Sequence, residues 1–203
     1  MTVRRNSLAE DSELTWDIAR LFPYQGEWTE EEYLALDTNH LIEFTNGYLE
    51  FLPMPTSSHQ FIVFFLYRHL WTFVTERKLG EVLAAPLPVR IGTHKFREPD
   101  VFFMDSGHDN RRGEAYWRGA DLVMEVISSD DPDRDYKTKK REYAEAGIPE
   151  YWIIDPLQQM ITVFNLDGET YRAHGVFIPS TRATSVLLEG FVVDVAEVFA
   201  AAK

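Results

Sequence analysis

The sequence predicts a mixed α/β fold in which helices flank a central mixed β-sheet. Four apolar strand segments between residues 81 and 128 follow one another without a helical pattern between them, so we expect part of the sheet to be antiparallel. A helical pattern over 135–146 then leads into a strand over 150–155, and this order is typical of a parallel β-α-β unit. The sheet should therefore contain strands of both orientations.

The chain length predicts one domain preceded by an N-terminal arm. The arm covers residues 1–27, where Leu14, Ile18 and Leu21 have the spacing of one helix face. Residues 28–203 carry a regular succession of helix and strand patterns without an internal repeat. A chain of 203 residues suits a single domain of this kind.

Local signals define the first elements of the domain. Thr29, followed three residues later by Glu32, is a capping-box pattern that predicts a short helix ending near residues 37–39. The dipeptide Asn46-Gly47 separates two apolar segments and predicts a tight β-hairpin.

A long helix is predicted from His59 to about Leu79. Ser57 or Ser58 is expected to cap its start, and Gly80 is expected to end it. The segment is apolar on most of its faces, which predicts that other elements pack against it on both sides.

The second half of the chain predicts the remaining strands and one long polar loop. The loop covers 105–119, a length that is usually associated with function. The helix over 135–146 is expected to end at Gly147, and a hairpin is expected to turn at Asp167-Gly168. Further strands are predicted at 81–85, 87–91, 100–104, 121–128 and 184–188, with a short helix at 194–202.

Composition and charge exclude several classes of function. The chain has no cysteine, which excludes disulfides, zinc–thiolate sites and thiol catalysis. No signal peptide or membrane-spanning segment is recognisable, so we expect a cytoplasmic protein without a membrane partner. The formal net charge of -13 argues against passive coating of nucleic acid, although a local basic patch can still steer a phosphate towards a metal site.

Two acidic residues on successive predicted strands indicate chemistry. Asp100 begins one strand, and Glu125 lies inside the apolar segment 122–127. A buried carboxylate is costly unless it is paired, and a divalent cation is a usual shared partner of two such groups. Magnesium favours a few carboxylates, water and phosphate oxygens. The main-chain carbonyl of Val126 or Ile127 would add one more oxygen.

A cationic helix follows the two acids. Asp135, Lys139 and Tyr143 are four residues apart and therefore share one helix face. Because small residues after Tyr143 must pack close to the sheet, we expect the Lys139 ammonium to lie near the two carboxylates. There it would orient a water molecule or stabilise charge on phosphorus. Acid, acid and lysine in this order are typical of metal-assisted phosphodiester hydrolysis.

The chain also contains several longer motifs: Thr29-Glu30-Glu31-Glu32-Tyr33, Asn46-Gly47, Ser58-His59, Pro99-Asp100, Glu125-Val126-Ile127-Ser128 and Ala146-Gly147-Ile148-Pro149-Glu150-Tyr151-Trp152. These motifs resemble a known family, the putative restriction endonuclease domain of the PD-(D/E)XK nuclease superfamily, which is abundant in cyanobacteria. The resemblance covers roughly residues 28–190.

This resemblance implies a restriction-endonuclease-like core and a magnesium-dependent endonuclease that acts on DNA, with manganese able to substitute for magnesium. It implies that Asp100 and Glu125 are metal ligands and catalytic residues. The superfamily's lysine normally stands two residues after the glutamate, where this chain has Ile127, and the resemblance places the catalytic lysine at Lys139 instead. A homodimer is expected, because cutting both strands of a duplex needs two sites.

Accessory roles are expected for several other residues. Glu43, on the first strand, is a candidate accessory acid, and His59, at the start of the long helix, is expected to face the same cleft. Cations near the site are candidates for contacts with backbone phosphates. These are Arg111, Arg112, Lys137, Lys140 and Arg141.

Each assignment has a purely structural alternative. Asp100 could be a turn residue at the start of a strand, and Glu125 could pair with a cation for stability alone. Lys139 could be one of several solvated helix lysines. The corresponding alternative function is a nuclease-fold protein that no longer cleaves and serves as a binding or scaffold module. A glycosidase with paired carboxylates is a further alternative, but no exposed aromatic residues stand out beside the acids.

Overall fold

The computed structural model describes residues 22–38, 40–128 and 131–202, so the predicted arm helix around Leu14, Ile18 and Leu21 lies outside the described residues. The helical elements are α1 (Glu30–Leu34), α2 (Ser57–Arg77), a 3-10 helix (Ser106–Arg111), a π-helical segment (Arg134–Lys139) that continues into α3 (Lys140–Glu145), and α4 (Val195–Ala200). The strands are β1 (Ile42–Thr45), β2 (Tyr48–Phe51), β3 (Gly80–Ala84), β4 (Val89–Gly92), β5 (Lys95–Arg97), β6 (Val101–Asp105), β7 (Trp117–Arg118), β8 (Leu122–Val126), β9 (Glu150–Asp155), β10 (Met160–Asp167), β11 (Thr170–Phe177), β12 (Arg182–Thr184) and β13 (Val192–Asp194).

A six-stranded sheet forms the centre of the molecule, with the order β11-β10-β9-β8-β6-β3. β8 and β9 are parallel, and the other neighbouring strands are antiparallel. The π-helical segment and α3 connect the two parallel strands. The predicted mixed α/β fold, with strands of both orientations and a β-α-β unit, is therefore confirmed.

The register of β6 against β8 determines where the two predicted acids lie. Val101 pairs with Met124 in this antiparallel ladder. The residue before Val101 and the residue after Met124 are Asp100 and Glu125, so these two acids come together at the end of the ladder.

A second sheet, of five strands, has the order β2-β1-β5-β4-β7. The predicted hairpin joins β1 and β2, and its turn residues Asn46 and Gly47 have φ values of 48° and 85°. Positive φ at both positions is what a type I′ turn requires. A Cβ atom on Gly47 would also lie only 2.5 Å from the Gly26 carbonyl oxygen, so glycine is needed here for space as well.

Apolar residues cover both faces of the six-stranded sheet. One face packs against α2 and α4, with Leu66, Leu70 and Trp152 fully buried. The other face packs against α3, where Tyr143 and Tyr151 are fully buried. The site described below lies where these layers meet the five-stranded sheet.

The ends of α2 differ from the predicted ones. The N-cap is Thr56, whose hydroxyl accepts a hydrogen bond from the His59 backbone N–H, instead of Ser57 or Ser58. The C-cap is Lys78 in the left-handed conformation, and Gly80 instead begins β3. Sequence spacing fixed these ends to within two residues, which is the usual uncertainty of such signals.

The packing of α2 also differs from the prediction. Its buried residues lie on one face, and Phe61, Phe64 and Trp71 are exposed, so the helix is not packed on both sides. Its apolar composition was misleading because burial depends on which neighbours the fold supplies. Within the described residues, no helix combines the length and apolar character needed to cross a membrane.

Two further differences concern short elements. β5 and β7 were not predicted, because three- and two-residue strands carry too little periodicity to be recognised. The last predicted strand at 184–188 is instead the pair β12 and β13, which flank a turn. The predicted long polar loop contains the 3-10 helix.

Replacing Thr56 with Ala tests the observed cap of α2. The loss of the hydrogen bond to the His59 N–H should destabilise the protein by about 1 kcal/mol, measured by chemical denaturation. Ser58→Ala, an exposed position in the first turn that does not cap the helix, is the matched control and should change stability by less than about 0.5 kcal/mol. Equal losses in the two variants would contradict the assignment of the cap.

Candidate active site

A cavity of about 320 Å³ brings together four of the predicted site residues. Asp100 enters it from the start of β6, Glu125 from β8, His59 from the first turn of α2 and Lys139 from the end of the π-helical segment. Glu43, on β1, contacts Lys139 from behind the cavity wall. The five residues come from five different elements. The register of β6 with β8 positions Asp100 and Glu125, and the helical spacing before α3 positions Lys139.

Asp100 is held by main-chain and side-chain contacts. Its Oδ2 atom accepts a hydrogen bond of 2.8 Å from the Val126 backbone N–H. His59 Nε2 lies 3.3 Å from the same oxygen and 2.9 Å from the Val126 carbonyl oxygen. Burial acts to lower the pKa of His59, but the hydrogen bond and charge of Asp100 outweigh it and raise this pKa. The contact with Asp100 therefore favours the protonated form of the imidazole.

Glu125 is almost completely buried, and its Oε1 atom has two partners. Lys139 Nζ lies 2.9 Å away, and the Tyr143 hydroxyl donates a hydrogen bond of 2.6 Å. Burial raises the pKa of the Glu125 carboxyl to about 8, although Lys139 acts in the opposite direction. One lysine is thus not enough to keep this carboxylate as acidic as an exposed glutamate.

Lys139 is a buried cation surrounded by acids. Besides Glu125, its Nζ atom lies 3.3 Å from Asp135 Oδ1 and 3.8 Å from Glu43 Oε1. Burial alone would lower the pKa of this lysine, but the surrounding carboxylates outweigh burial and raise the pKa above its usual value. The ammonium therefore stays charged near neutral pH. The interpretation of Lys139 as a solvated helix lysine is wrong, because the side chain is buried.

Glu43 connects the site to a second group of cations. Arg134 binds its Oε2 atom and also binds Glu50, while Arg97 Nε lies 3.3 Å from Oε2. Burial acts to raise the pKa of Glu43, but Lys139, together with the two arginines, lowers it. Glu43 is therefore an ionised carboxylate that holds three cations in place.

Arg97 is itself fixed by a two-pronged ion pair. Its Nε and Nη2 atoms donate to the two carboxylate oxygens of Glu142 at 2.9 and 2.8 Å. Two parallel hydrogen bonds of this kind are both strong and directional. Arg97 and Glu142 are buried, so this pair forms a rigid support behind Glu43.

Three residues of the site were not assigned a functional role from the sequence. Asp135 contacts Lys139, and Tyr143 contacts Glu125. The helical spacing of both residues from Lys139 was the signal that could have identified them. Glu98 lies two residues before Asp100 and lines the cavity. Burial, together with the nearby charge of Glu43, raises the pKa of Glu98 to about 8.

The charges lining the cavity fit a divalent cation. Among the described residues, five carboxylates line the cavity but only two strongly basic side chains do, Arg134 and Lys139. The acids are Glu98, Asp100, Glu125, Asp131 and Asp135. Glu98 Oε2 is buried, and within the described residues it has no hydrogen-bond partner. The raised pKa values of Glu98 and Glu125 show that their ionised forms are disfavoured in the cavity. These two acids are stabilised either by protonation or by additional positive charge nearby.

The protein supplies few ligands for such an ion. Hydrogen bonds and ion pairs within the described residues use Asp100 Oδ2 and Glu125 Oε1, so the second oxygen of each acid is left for a ligand. Among the described residues, no three acidic or histidine side chains are grouped closely enough to form a complete metal cage. This donor set suits magnesium, which keeps several waters and takes one or two carboxylates.

The predicted phosphate contacts lie outside this cavity. Arg111 ends the 3-10 helix, and the neighbouring Arg112 pairs with Asp109 at 2.9 Å. Lys137 pairs with Asp133 at 2.7 Å beside a smaller polar pocket, which Arg134 and Glu50 also line. The Lys140 ammonium lies 4.0 Å from the centre of the Phe164 ring, and the exposed Arg141 is 3.6 Å from Glu145. Their role in phosphate binding stays a prediction.

Comparison with known proteins identifies related families and folds. A family model described as Uma2, putative restriction endonuclease, matches residues 30–196. The sequence motifs described above resemble a family with the same description, the putative restriction endonucleases. A search of curated proteins gives no significant match.

Among the solved structures that match is one described as a putative nuclease belonging to DUF820 from Anabaena variabilis ATCC 29413. The two structures superpose with a TM-score of 0.72 at 18% sequence identity, over 87% of this chain and 99% of the other. At this identity the similarity is one of fold.

Replacing Glu98 with Gln tests the charge balance of the cavity. The usual pKa of this carboxyl is 4.5, and in the folded protein it is about 8. Between these values the folded protein binds more protons than the unfolded chain, so the group's contribution to stability falls as pH rises, by at most about 1.4 kcal/mol per pH unit. Glu98→Gln should remove this loss. The melting temperature of the variant minus that of the wild type should therefore increase as the pH is raised from 5 to 8.

This comparison is made in EDTA, so that no metal ion alters the charge of the cavity. Glu145→Gln, at an exposed position on α3, should show no pH-dependent difference from wild type. If the difference between Glu98→Gln and wild type were the same at pH 5 and pH 8, the unusual titration of Glu98 would be disproved.

Proposed function

Because the chain belongs to the Uma2 family of putative restriction endonucleases, we propose that it is a metal-dependent endonuclease that hydrolyses phosphodiester bonds of DNA. The observation that carries this proposal is the buried contact between Glu125 and Lys139 in a cavity where carboxylates outnumber strong bases. A purely structural ion pair would not need this excess of acids. In a site that binds a cation and a phosphate group, the excess acids would bind the cation.

Asp100 and Glu125 would hold the metal ion, magnesium or in its place manganese. A bound ion of this kind lowers the pKa of water and stabilises negative charge on a phosphoryl group. Hydrogen bonds hold both acids in place, because the Val126 N–H donates to Asp100 and the Tyr143 hydroxyl donates to Glu125. Such outer contacts orient the oxygens that a metal would use.

Lys139 would act by its charge. Because the surrounding carboxylates raise its pKa, the ammonium is a poor base near neutral pH and a good partner for negative charge that develops on phosphorus. Asp135 and Glu43 hold Lys139 in position. Glu43 is thus best described as a positioning acid. His59, which contacts Asp100, would help to hold that acid as a ligand.

The second candidate function is a binding or scaffold module that no longer cleaves. It is favoured by the apolar Ile127 at the position of the usual catalytic lysine and by the net charge of -13. The two functions differ in one respect that can be measured, the response of the protein to metal ions. The expected homodimer and the expected cytoplasmic location both stay predictions.

Nicking of supercoiled plasmid tests the endonuclease proposal directly. The purified protein should nick plasmid in magnesium or manganese and should be inactive in EDTA. Glu125→Gln should reduce the rate at least ~100-fold, because it removes the charge of one ligand while preserving the volume of the side chain. Glu145→Gln, on the exposed side of α3, is the control and should retain the wild-type rate.

Circular dichroism should give the same folded spectrum for both variants and the wild type. Nicking that persists in Glu125→Gln would contradict the assignment of the site. No nicking by wild-type protein in either metal would favour the second candidate function.

Thermal unfolding with added metal tests the site independently of cleavage. A ligand that binds only the folded state stabilises it by about 2.7 kcal/mol at a concentration 100 times its dissociation constant. We expect magnesium or manganese to raise the melting temperature of the wild type, and Asp100→Asn to abolish most of this shift. Asp109→Asn, on the exposed 3-10 helix, should retain it. No shift in the wild type would argue against a metal site.

A further inference from the structure

The cavity that holds Asp100 and Glu125 is lined by two chemically different groups of side chains. One group consists of the carboxylates and Lys139. The other includes three exposed apolar residues, Met54, Phe64 and Leu157, which we call the apolar rim. They are 68%, 62% and 64% exposed, respectively. Large apolar groups with such exposure at the edge of an active-site cavity indicate contact with something outside the protein.

The apolar rim is built from three separate parts of the fold. Met54 stands between two prolines in the segment that joins β2 to α2, Phe64 projects from α2, and Leu157 lies in the turn between β9 and β10. The prolines restrict the backbone on either side of Met54. Because these elements are distant in sequence, the rim is a property of the tertiary structure and of its position beside the acids.

Charge argues against a duplex backbone as the ligand of this cavity. Binding of duplex phosphates depends on lysines and arginines that are able to replace counterions. Of the strong bases that line the cavity, Arg134 is bound to Glu43 and Glu50, and Lys139 is surrounded by three carboxylates. Within the part of the chain that the structure describes, the cavity therefore offers little unpaired positive charge to a second or third phosphate.

We propose that the apolar rim is a base-stacking subsite, and that the substrate is DNA with unpaired bases beside the bond that is cut. The faces of nucleic-acid bases are uncharged and flat, and they suit an apolar surface, whereas in an intact duplex they are covered by stacking. A single strand, or a duplex with an unpaired loop, exposes these faces. The inference rests on the proposed function and names its substrate class.

The expected size of the effect follows from base stacking in other proteins. Alanine substitution of a stacking side chain usually costs about 1–3 kcal/mol per base, which corresponds to roughly 5- to 150-fold in affinity. Phe64 is the one aromatic residue of the apolar rim, so its removal should have the largest effect. Phe61 provides a matched control, since it lies on the same helix and is 56% exposed but does not line the cavity.

The experiment compares cleavage of three DNA substrates of one sequence with magnesium present. The substrates are a single strand, a full duplex and a duplex with a central unpaired loop. For the wild type and Phe61→Ala, kcat/KM should be at least about fivefold higher for the single strand and the looped duplex than for the full duplex. Phe64→Ala should lose this preference, with most of the change in KM.

A competition assay separates bases from phosphates. Unlabelled single strands, either intact or with all bases removed, compete with the labelled single-strand substrate. The two competitors carry the same phosphates, so only stacking favours the intact one. It should inhibit at least about fivefold more strongly with the wild type and Phe61→Ala, and this ratio should approach one with Phe64→Ala.

Two results would overturn the inference while leaving the proposed function intact. One is equal cleavage of the full duplex and the single strand, with Phe64→Ala behaving like Phe61→Ala. The other is a dimer in analytical ultracentrifugation that Phe64→Ala dissociates, because the rim would then be an interface between two copies of the chain. Failure of the wild type to cleave any of the three substrates would instead overturn the proposed function, and this inference with it.

Discussion

The burial of the Lys139 ammonium is the constraint on which the centre of this molecule depends. A buried charge must be matched by opposite charge, and the matching acids come from three elements: Glu43 on β1, Glu125 on β8 and Asp135 in the π-helical segment. The ion cluster therefore joins the five-stranded sheet, the six-stranded sheet and the connecting helix. Breaking a buried ion pair by removing one partner usually costs about 3–5 kcal/mol, because the other charge is left uncompensated. The contacts that position the site are thus also contacts that hold the layers together.

A second layer of charges makes this arrangement rigid. Glu43 is bound by Arg97 and Arg134, and Arg97 is in turn fixed by the two oxygens of Glu142 on α3. The side chain of Lys139 consequently has little freedom to move away from Glu125. In an enzyme this kind of support reduces the rearrangement that charged groups must undergo when the reaction begins. Because these cations near the cavity are already paired with acids, they are unable to bind a long phosphate backbone.

Sequence reasoning predicted the parts of the site that depend on local spacing. Asp100 and Glu125 come together because β6 and β8 pair. Lys139 contacts Asp135, and Lys139 and Tyr143 both contact Glu125, because the three helix residues share one face. The capping box at Thr29 and the Asn46-Gly47 hairpin are local in the same sense and were confirmed.

The contacts that could not be predicted join residues far apart in the chain. Glu43 and Arg134 are 91 positions apart, and no spacing rule relates them. The exposure of Phe64 is also a tertiary property, since the alternation of apolar residues along α2 does not reveal which of its faces the sheet covers. The two shortest strands of the five-stranded sheet have no periodicity long enough to detect.

The local charges at the cavity matter more for the substrate than the net charge of -13. At physiological ionic strength, salt screens charges over about 8 Å, so acids elsewhere on the surface have little influence on a phosphate at the site. A bound divalent cation would offset two negative charges among the acids that line the cavity. Lys139 would add its positive charge to this local balance. One phosphate group could then be accommodated, while the neighbouring, uncharged parts of the nucleic acid would meet the apolar rim. The net negative charge is therefore no obstacle to the proposed nuclease activity, and under the proposed function the apolar rim would favour a substrate that offers exposed bases over one that offers only a charged backbone.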